Sequence, residues 1–359
     1  MTLAPGQSPL MPVKPRPIVI IGAGGIVRDG HLPAYRLAGF SVVGLFDLDP
    51  AKAAALAAQF DVPRVFATLA EAIAAAPADT VFDIAVPASA LTEVLTALPD
   101  GAAVLIQKPF GENLAQARAL LALCRAKQLR AAVNFQLRYA PYILAARDLI
   151  ARGVIGEVHD MEVRVMVYMP WHLWTFLEGI PRVEILYHSV HYVDLIRSFL
   201  GEPRGVYAKT TKHPKTTKLA STRTNIALDY GDTLRANITT NHGHEFGLTH
   251  QESYVKWEGT RGAIKARLGL LMNYPQGEPD ALEYCTLDDT GRAGPWQSVP
   301  LSGSWYPHAF IGTMASLMRF ANGETTELPT SVDDAFKTMA TVEAAYASSA
   351  HGATPIPSA

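Results

Sequence analysis

Several features that mark particular classes of protein are missing from this sequence of 359 residues. It has only two cysteines, Cys124 and Cys285, which are too far apart for a disulfide framework or a zinc-binding spacing. That usage fits a reducing, cytoplasmic setting. The formal net charge is −2, so there is no basic excess for binding nucleic acid. No apolar run approaches the roughly 20 residues of a membrane span, and no membrane partner is expected.

The N-terminal stretch MTLAPGQSPLMPVKPRP is rich in proline and has no hydrophobic signal core. We interpret residues 1–16 as a mobile tail and not as a targeting peptide. No internal repeat follows, and 49% of the residues are hydrophobic. A chain of this length and composition is expected to form two domains, because single cores seldom exceed about 250–300 residues.

The first third of the sequence alternates short apolar runs with helical patterns. The runs PIVIIGAG, SVVGLFD, TVFDIAVP, AAVLIQKP and LRAAVNF read as strands, and PAKAAALAAQF and ENLAQARALLALCRAK read as two of the helices between them. Nearly continuous apolar strands between helices indicate a parallel sheet that is covered on both faces. We therefore predict a doubly wound α/β Rossmann domain over residues 17–134.

The pattern changes after residue 155, where strand-like segments follow one another between turns. They predict a second, α+β domain over residues 135–359, with a large open sheet that is mostly antiparallel. Helices are expected over 184–200, 307–321 and 332–349, and the last ones could pack back on the first domain. An open sheet needs covering, so a homodimer or homotetramer joined through it is expected.

A candidate dinucleotide site begins at GAGGIV, directly after the first strand. Gly22 permits a tight turn, and Gly24 lets a pyrophosphate approach the backbone at a helix N-terminus. Asp47 ends the second strand, where an acid binds the ribose hydroxyls and repels a 2′-phosphate. This favours NAD over NADP, although Val27 departs from the third glycine of the motif. The alternative role for Asp47 is a helix cap, for which Asp49 competes.

A lysine, Lys108, stands at the end of the apolar run AAVLIQKP. In a doubly wound sheet, ligands bind at the carboxyl ends of the strands. Lys108 is therefore expected to face the nicotinamide and not random solvent. The full set of predicted cofactor-binding residues is Gly22, Gly24, Gly25, Ile26, Val27, Asp47, Val86, Pro87, Gln107, Lys108 and Asn134.

A helix in the second domain, EILYHSVHYVDLIRSFLG, carries four polar side chains of interest. At helical spacing Tyr187, His188, His191 and Asp194 share one face. This favours a substrate site over the alternative of a buried, locally satisfied histidine. A zinc site is the third interpretation, but no cysteine assists and one helix offers two ligands at most, so no metal is predicted.

Aromatic residues in MPWHLWTF precede that helix. Trp171 and Trp174 could stack on the C–H faces of a sugar, and ordinary core packing is the alternative for either. His242 and His244 share one strand face in NHGHEF, where they could face the site or only solvent.

Together these motifs resemble the glucose–fructose oxidoreductase/inositol dehydrogenase (Gfo/Idh/MocA) family. The resemblance rests on IGAGGIV, HLPAY, VGLFDLDPAKA, AVLIQKPFGENLAQA, VNFQLRYAP, ARGVIGEV and HYVDLIRSFLGEP, and extends over roughly residues 17–350. It implies that Lys108 holds the reacting hydroxyl and that His191 accepts its proton. It also matches Arg138 to the family's arginine after the sixth strand, with a structural ion pair as the alternative role.

Two departures from the family pattern bear on the chemistry. Gln107 replaces the usual Glu before the lysine, and Tyr187 replaces an Asp one turn before the histidine. The implied activity is NAD(P)-dependent oxidation of a secondary alcohol of a sugar or polyol. The predicted catalytic residues are Lys108, His191 and Tyr187, and the predicted substrate contacts are Lys108, Arg138, Trp171, Trp174, Tyr187, His188 and His191.

Two other functions fit the same sequence. One is an oxidoreductase or glycoside-cleaving enzyme that keeps its nicotinamide tightly bound through a closed cycle. The other is a regulator that senses NAD or sugar without turnover, because a fold alone does not fix function. The presence of both Lys108 and His191 argues against a pure sensor.

Overall fold

A computed structural model describes residues 4–357 of the chain, and residues 1–3 and 358–359 lie outside it. The described residues form two compact units. The first unit comprises residues 7–144 and 302–339, and the second comprises residues 4–6, 145–301 and 340–357. The first unit thus extends ten residues beyond the expected limit of 134, and it also includes the later segment 302–339.

The first unit is built on a five-stranded parallel sheet in the order β2-β1-β3-β4-β5. All residues of β1, β3 and β4 are buried, as expected for strands covered on both faces. This confirms the predicted Rossmann architecture. The strands are β1 Ile18–Ile21, β2 Val42–Phe46, β3 Val81–Ile84, β4 Ala103–Ile106 and β5 Arg130–Val133.

The helices begin at recognisable caps. The Asp49 carboxylate accepts from the first turn of α2, Thr68 does the same for α3, and Asn113 for α5. In chain order the α-helices are α1 Leu32–Ala38, α2 Pro50–Phe60, α3 Leu69–Ala74, α4 Leu91–Ala97, α5 Leu114–Ala126, α6 Pro141–Ala151, α7 Val190–Leu200, α8 His308–Ala321 and α9 Val332–His351.

Helix α8 belongs to the core of the first unit. Its Phe310, Met314 and Leu317 are fully buried in one cluster with Ile18 and Leu105 of the sheet. The stretch after the second sheet therefore returns to the first sheet, which is why residues 302–339 count with the first unit.

The segment before β1 differs from the expected mobile tail. The Arg16 guanidinium donates to Asn322 Oδ1 at 2.7 Å and to the Ala321 carbonyl at 2.8 Å. The Val13 N–H donates to the Glu324 carboxylate. Residues 13–16 are thus attached to the end of α8, and the expectation for residues 1–3 falls outside the described residues.

The second unit contains an eight-stranded sheet in the order β13-β12-β11-β10-β6-β9-β8-β7. Neighbours are antiparallel except β6 and β9, which run parallel, so the predicted mostly antiparallel sheet is confirmed. The strands are β6 Val158–Met166, β7 Gly205–Thr211, β8 Arg223–Asp229, β9 Arg235–Asn241, β10 Glu252–Gly259, β11 Gly262–Arg267, β12 Ala281–Thr286 and β13 Gln297–Val299.

Burial alternates along the strands of this sheet. In β10, Val255 and Trp257 are buried, whereas Lys256 between them is half-buried and faces the other side. The sheet therefore has one apolar face and one polar face. Among residues 4–357, no helix combines the length and the apolar character needed to cross a bilayer.

Candidate active site

The carboxyl ends of the five strands in the first unit form one row. The register pairs Ile21 with both Phe46 and Ile84, then Ile84 with Ile106, and Ile106 with Val133. Backbone hydrogen bonds continue the row one residue further, from Gly22, Ala85, Gln107 and Asn134. The residues that follow the strands are thus held side by side, at the edge where this type of sheet binds ligands.

The glycine loop after β1 has the shape that a pyrophosphate requires. Gly22 has φ +107°, and a Cβ there would lie 2.4 Å from the Ala85 carbonyl oxygen, so only glycine fits. A Cβ on Gly24 would meet no atom within 4 Å, so the space over its backbone is open. The chain is helical from Gly25 onwards, and the first turn of a helix offers N–H groups without intrahelical acceptors. These residues fit a dinucleotide.

The remaining residues of this loop divide between contact with a cofactor and packing. Val27 is fully buried in the core, so its side chain cannot face a cofactor, and only its backbone could. Ile26 is half-buried and packs against the same core. Val86 is half-buried and Pro87 is exposed after β3, so both remain accessible.

Asp47 follows β2 and is tied to the glycine loop. Its Oδ2 accepts from the Ala23 N–H at 2.6 Å and its Oδ1 accepts from the Asp49 N–H at 2.8 Å. Asp49, not Asp47, caps α2. The carboxylate of Asp47 therefore remains at the strand end, beside the backbone that would hold the pyrophosphate.

Lys108 stands directly after Gln107 in the row and is half-buried. Burial lowers the pKa of its ammonium group to about 8. A lysine poised in this way can donate a hydrogen bond as a cation and still exchange its proton near neutral pH.

Gln107 and Asn134 are buried and belong to a hydrogen-bond network that the sequence did not predict. The amide nitrogens of both lie 3.2 Å from Nε2 of His31, whose Nδ1 lies 2.6 Å from Asp83 Oδ2. Tyr35 donates to the same Asp83 oxygen at 2.7 Å. The available signal was Asp83 itself, a carboxylate inside the apolar strand β3, since buried charges need partners.

The prediction of Arg138 as a substrate contact is corrected by the contacts of its side chain. That side chain is only 9% exposed, and its guanidinium lies 2.5 Å from Asp334 and donates to the Pro329 carbonyl at 2.8 Å. Both partners belong to the first unit. The structure thus supports the alternative role, a structural ion pair, because the fork of donors is engaged within the fold.

In the second unit the predicted helix starts as a π turn over Ile185–Ser189 before α7. This turn changes the angular spacing on which the single polar face depended. His191 and Asp194, in regular α-helix, are both buried, whereas Tyr187 and His188, in the π turn, are half-buried. The four side chains are therefore not equivalent members of one face.

His188 and Trp171 belong to a cluster of rings. The His188 ring centroid lies 5.1 Å from Trp171 and 4.6 Å from His242, and Trp171 lies 5.6 Å from His242. His242 is thus directed to this cluster and not to solvent, which the sequence left open. His244 is half-buried and contacts Phe246 instead.

Glu184 contacts His242 of this cluster, and the sequence did not single it out as a functional residue. Its carboxylate lies 3.2 Å from His242 Nε2 and accepts from the Ser189 hydroxyl at 2.8 Å, and the side chains of Glu184 and His242 are fully buried. Burial acts to raise the pKa of Glu184, but hydrogen bonds, led by that from His242, outweigh it and hold the pKa below its usual value. The sequence signal was an acid between Val183 and Ile185.

Trp174 and Tyr187 lie in the adjoining aromatic packing. Trp174 contacts Tyr274 at 5.4 Å, and Tyr187 contacts Phe176 at 5.9 Å. Both pack against a small buried cluster that includes Leu177. Among residues 4–357, no group of three or more His, Cys, Asp or Glu is placed to hold a metal ion.

Comparison with known proteins agrees with these two units. Residues 16–135 match the model "Oxidoreductase family, NAD-binding Rossmann fold", and residues 143–265 match "GFO/IDH/MocA C-terminal domain". A D-apiose dehydrogenase of Rhizobium rhizogenes is 25% identical over 88% of this chain and 90% of its own length. A second D-apiose dehydrogenase, of Paraburkholderia graminis, is 28% identical over 93% of this chain and 88% of its own length.

Solved structures show the same fold. An oxidoreductase from Agrobacterium radiobacter, in complex with NAD⁺, L-tartaric acid and magnesium, has a TM-score of 0.77 over 95% of this chain and 98% of that one. At 22% identity this likeness speaks for the fold alone. The two family models together span most of the chain, and the first describes an NAD-binding domain. The chain belongs to the Gfo/Idh/MocA family of oxidoreductases.

Proposed function

We propose that the protein is an NAD-dependent dehydrogenase that oxidises a secondary alcohol of a sugar or polyol. The observation that carries the proposal is the row of strand ends in the first unit, which sets a glycine loop, Asp47 and a half-buried Lys108 along one edge. At that edge a loop that fits a dinucleotide lies in the same row of strand ends as the Lys108 ammonium group. Full-length relatives named for D-apiose support a sugar as the substrate class.

Lys108 and His191 divide the work on the hydroxyl group. His191 takes the hydroxyl proton as general base, a role that an unprotonated imidazole nitrogen can fill. The Lys108 ammonium donates a hydrogen bond to the same oxygen as it becomes negative. When bound, the nicotinamide ring supplies the acceptor for the hydride. Tyr187 orients His191 or binds a second substrate hydroxyl.

The ring cluster of the second unit supplies the substrate contacts. Trp171 and Trp174 offer faces for the C–H groups of a sugar, and His188 offers a polar atom beside Trp171. Arg138 is left out of this set because it pairs with Asp334. Lys108 is then the one lysine or arginine among the proposed substrate contacts, which favours a neutral substrate over a phosphorylated one.

Asp47 is the basis for proposing NAD in preference to NADP. Its carboxylate would accept from the ribose hydroxyls and repel a 2′-phosphate. Asp47→Asn keeps an acceptor for the Ala23 N–H but removes the charge. We expect the ratio of kcat/KM with NAD to that with NADP to fall at least about tenfold, since one charge contact is worth roughly 1.4 kcal/mol or more. An unchanged ratio would argue that Asp47 only stabilises the loop.

A screen for turnover tests the activity itself. The purified protein is mixed with NAD or NADP and with aldoses including D-apiose, polyols, inositols and anhydrosugars, and absorbance of the reduced nicotinamide is followed. Reduction of NAD by one of these classes of compound supports the proposal. Nicotinamide absorbance in the protein before any addition would instead support the closed cycle with a retained cofactor. Cofactor binding with no turnover on any compound would favour a sensor.

A further inference from the structure

A continuous set of buried side chains connects the middle of the first sheet to Lys108. Asp83 in β3 accepts from Tyr35 and faces Nδ1 of His31. Nε2 of His31 faces the amide of Gln107, which directly precedes Lys108. His31 and Asp83 are fully buried. The proposed reaction uses neither His31 nor Asp83, so the desolvation cost of burying them needs another explanation.

The direction of each hydrogen bond in this set follows from the groups that can only donate. The Lys108 backbone N–H, which can only donate, lies 2.8 Å from the Gln107 side-chain oxygen. The other end of the same amide, an NH₂ group that can only donate, must then point at His31 Nε2. Nε2 therefore accepts, and the ring proton lies on Nδ1, where it is donated to Asp83.

The surroundings of His31 agree with a neutral ring. Asn134 Nδ2 is a second amide donor at 3.2 Å from Nε2, while its own oxygen accepts from Thr313 at 2.7 Å. Phe310 covers the ring with a centroid distance of 5.1 Å. Burial, and then the charge of Asp83, raise the pKa of Tyr35 well above its usual value, so its hydroxyl remains a donor. Asp83 is the only charged group that these contacts bring to His31.

We propose that His31 and Asp83 are positioning residues for Lys108 and that they act through Gln107. The Asp83 carboxylate fixes the tautomer of His31, His31 fixes the amide of Gln107, and Gln107 fixes the backbone N–H of Lys108. The inference rests on the proposed function only in the role it gives Lys108. Displacing the Lys108 side chain by about 1 Å is expected to lower the rate of the reaction on the order of 100-fold.

The same network accounts for glutamine at position 107. A glutamate there would present an oxygen to Nε2 of His31 and an oxygen to the Lys108 N–H. His31 would then have to carry a second proton, and a positive ring would lie between two carboxylates. Gln107 supplies the donor that a neutral ring needs, so the amide and the Asp83–His31 pair belong together.

Nuclear magnetic resonance of ¹⁵N-histidine-labelled protein tests the assignment without reference to activity. The His31 signals are identified by their loss in His31→Gln. We expect a protonated Nδ1 and an unprotonated Nε2 at pH 7, and two protonated nitrogens in Gln107→Glu. A wild-type ring with its proton on Nε2, or on both nitrogens, would overturn the proposal. This result stands whether or not the protein oxidises sugars.

Kinetics then test the consequence for Lys108. His31→Leu and Gln107→Met should each lower kcat roughly 10- to 100-fold, and in His31→Leu the Kd for NAD should change little. His31→Gln, which can still donate to Asp83 and accept from Gln107, should recover most of that loss. Thr80→Val, a buried change at the opposite end of β3, is the matched control and should leave kcat unchanged.

The pH profile separates positioning from general damage to the fold. In Gln107→Glu the new carboxylate beside Lys108 should move the alkaline limb of kcat/KM to higher pH, because a nearby negative charge favours the ammonium form. Full kcat in both His31→Leu and Gln107→Met would overturn the proposal even if the dehydrogenase assignment holds.

Discussion

Lys108 is the side chain on which most of the proposed chemistry depends. It follows a fully buried strand, and burial lowers its pKa to about 8. The hydrogen bond to the developing alkoxide requires the ammonium form. We therefore expect kcat/KM for alcohol oxidation to fall above about pH 8 and this limb to vanish in Lys108→Arg, whose guanidinium does not titrate in that range. An alkaline limb that persists in Lys108→Arg would assign it to another group.

The burial of Lys108 also predicts a pH-dependent gain in stability when it is removed. Its pKa in the folded protein lies below the ordinary 10.5, so the unfolded chain binds more protons between about pH 8 and 10.5. The cost of burying the charge is complete below about pH 8 and disappears as the pH rises through this window. Lys108→Met should raise the free energy of unfolding at pH 7, by an amount that shrinks towards pH 10.

Urea titrations at pH 7 and pH 10 measure both values. Lys127→Met is the matched control, because that lysine lies at a helix end and pairs with Asp100. An equal effect of Lys108→Met at the two pH values would contradict the shifted pKa.

The π turn that begins the helix of the second unit is held by Glu184. Glu184→Ala would leave His242 and Ser189 without their buried acceptor, so we expect a loss of roughly 3 kcal/mol in the free energy of unfolding. The folded-state pKa of Glu184 lies below its usual value. Its contribution is therefore present above the unfolded-state pKa of about 4.3 and is lost as the pH falls through the folded-state value.

Thermal unfolding between pH 3 and pH 7 checks this dependence. Glu184→Gln should flatten the acid side of the Tm profile, whereas Glu178→Gln, which removes an exposed partner of Lys218, should leave it intact. An acid side that is the same in Glu184→Gln and wild type would show that this carboxylate does not govern it.

How far the elements could be predicted depends on their local signals. Helix α2 runs over Pro50–Phe60 as expected, because Asp49 caps it and Pro50 favours its first turn. Strands β12 and β13 were not predicted, since they are short segments among turns and depend on pairing with β11. The π turn at Ile185–Ser189 was equally hidden, because periodicity assumes a regular α-helix.

The candidate site was predictable where strand order decides it. Gly22, Asp47 and Lys108 lie at the expected edge because parallel strands end together. The engagement of Arg138 by Asp334 and of Gln107 by His31 could not be predicted, since each joins residues far apart in sequence. Such pairs are set by packing, and a sequence alone does not show them.

In the whole molecule, we propose that subunits associate through the polar face of the second sheet. It carries ion pairs instead of an apolar patch, including Arg235–Asp160 at 2.5 Å and Lys256–Glu258 at 2.7 Å. A dimer or tetramer joined through this face should therefore weaken as salt is added. Light scattering coupled to size-exclusion chromatography measures the assembly at low and high ionic strength.

A charge reversal distinguishes this face from other surfaces. Lys256→Glu places a carboxylate between Glu162 and Glu258 and should shift the population to monomers. Arg36→Glu, on an exposed helix of the first unit, is the control and should not. Wild-type monomers at low salt, or oligomers unaffected by Lys256→Glu, would contradict the assignment of this face.

The measurement that bears most directly on the account is NAD reduction by the sugar and polyol panel, with wild-type protein and Lys108→Met side by side. We predict that one group of sugars or polyols reduces NAD with the wild type. The Lys108→Met variant should lose about 10²–10⁴-fold in kcat while it still binds NAD. Normal turnover by Lys108→Met would contradict the central claim.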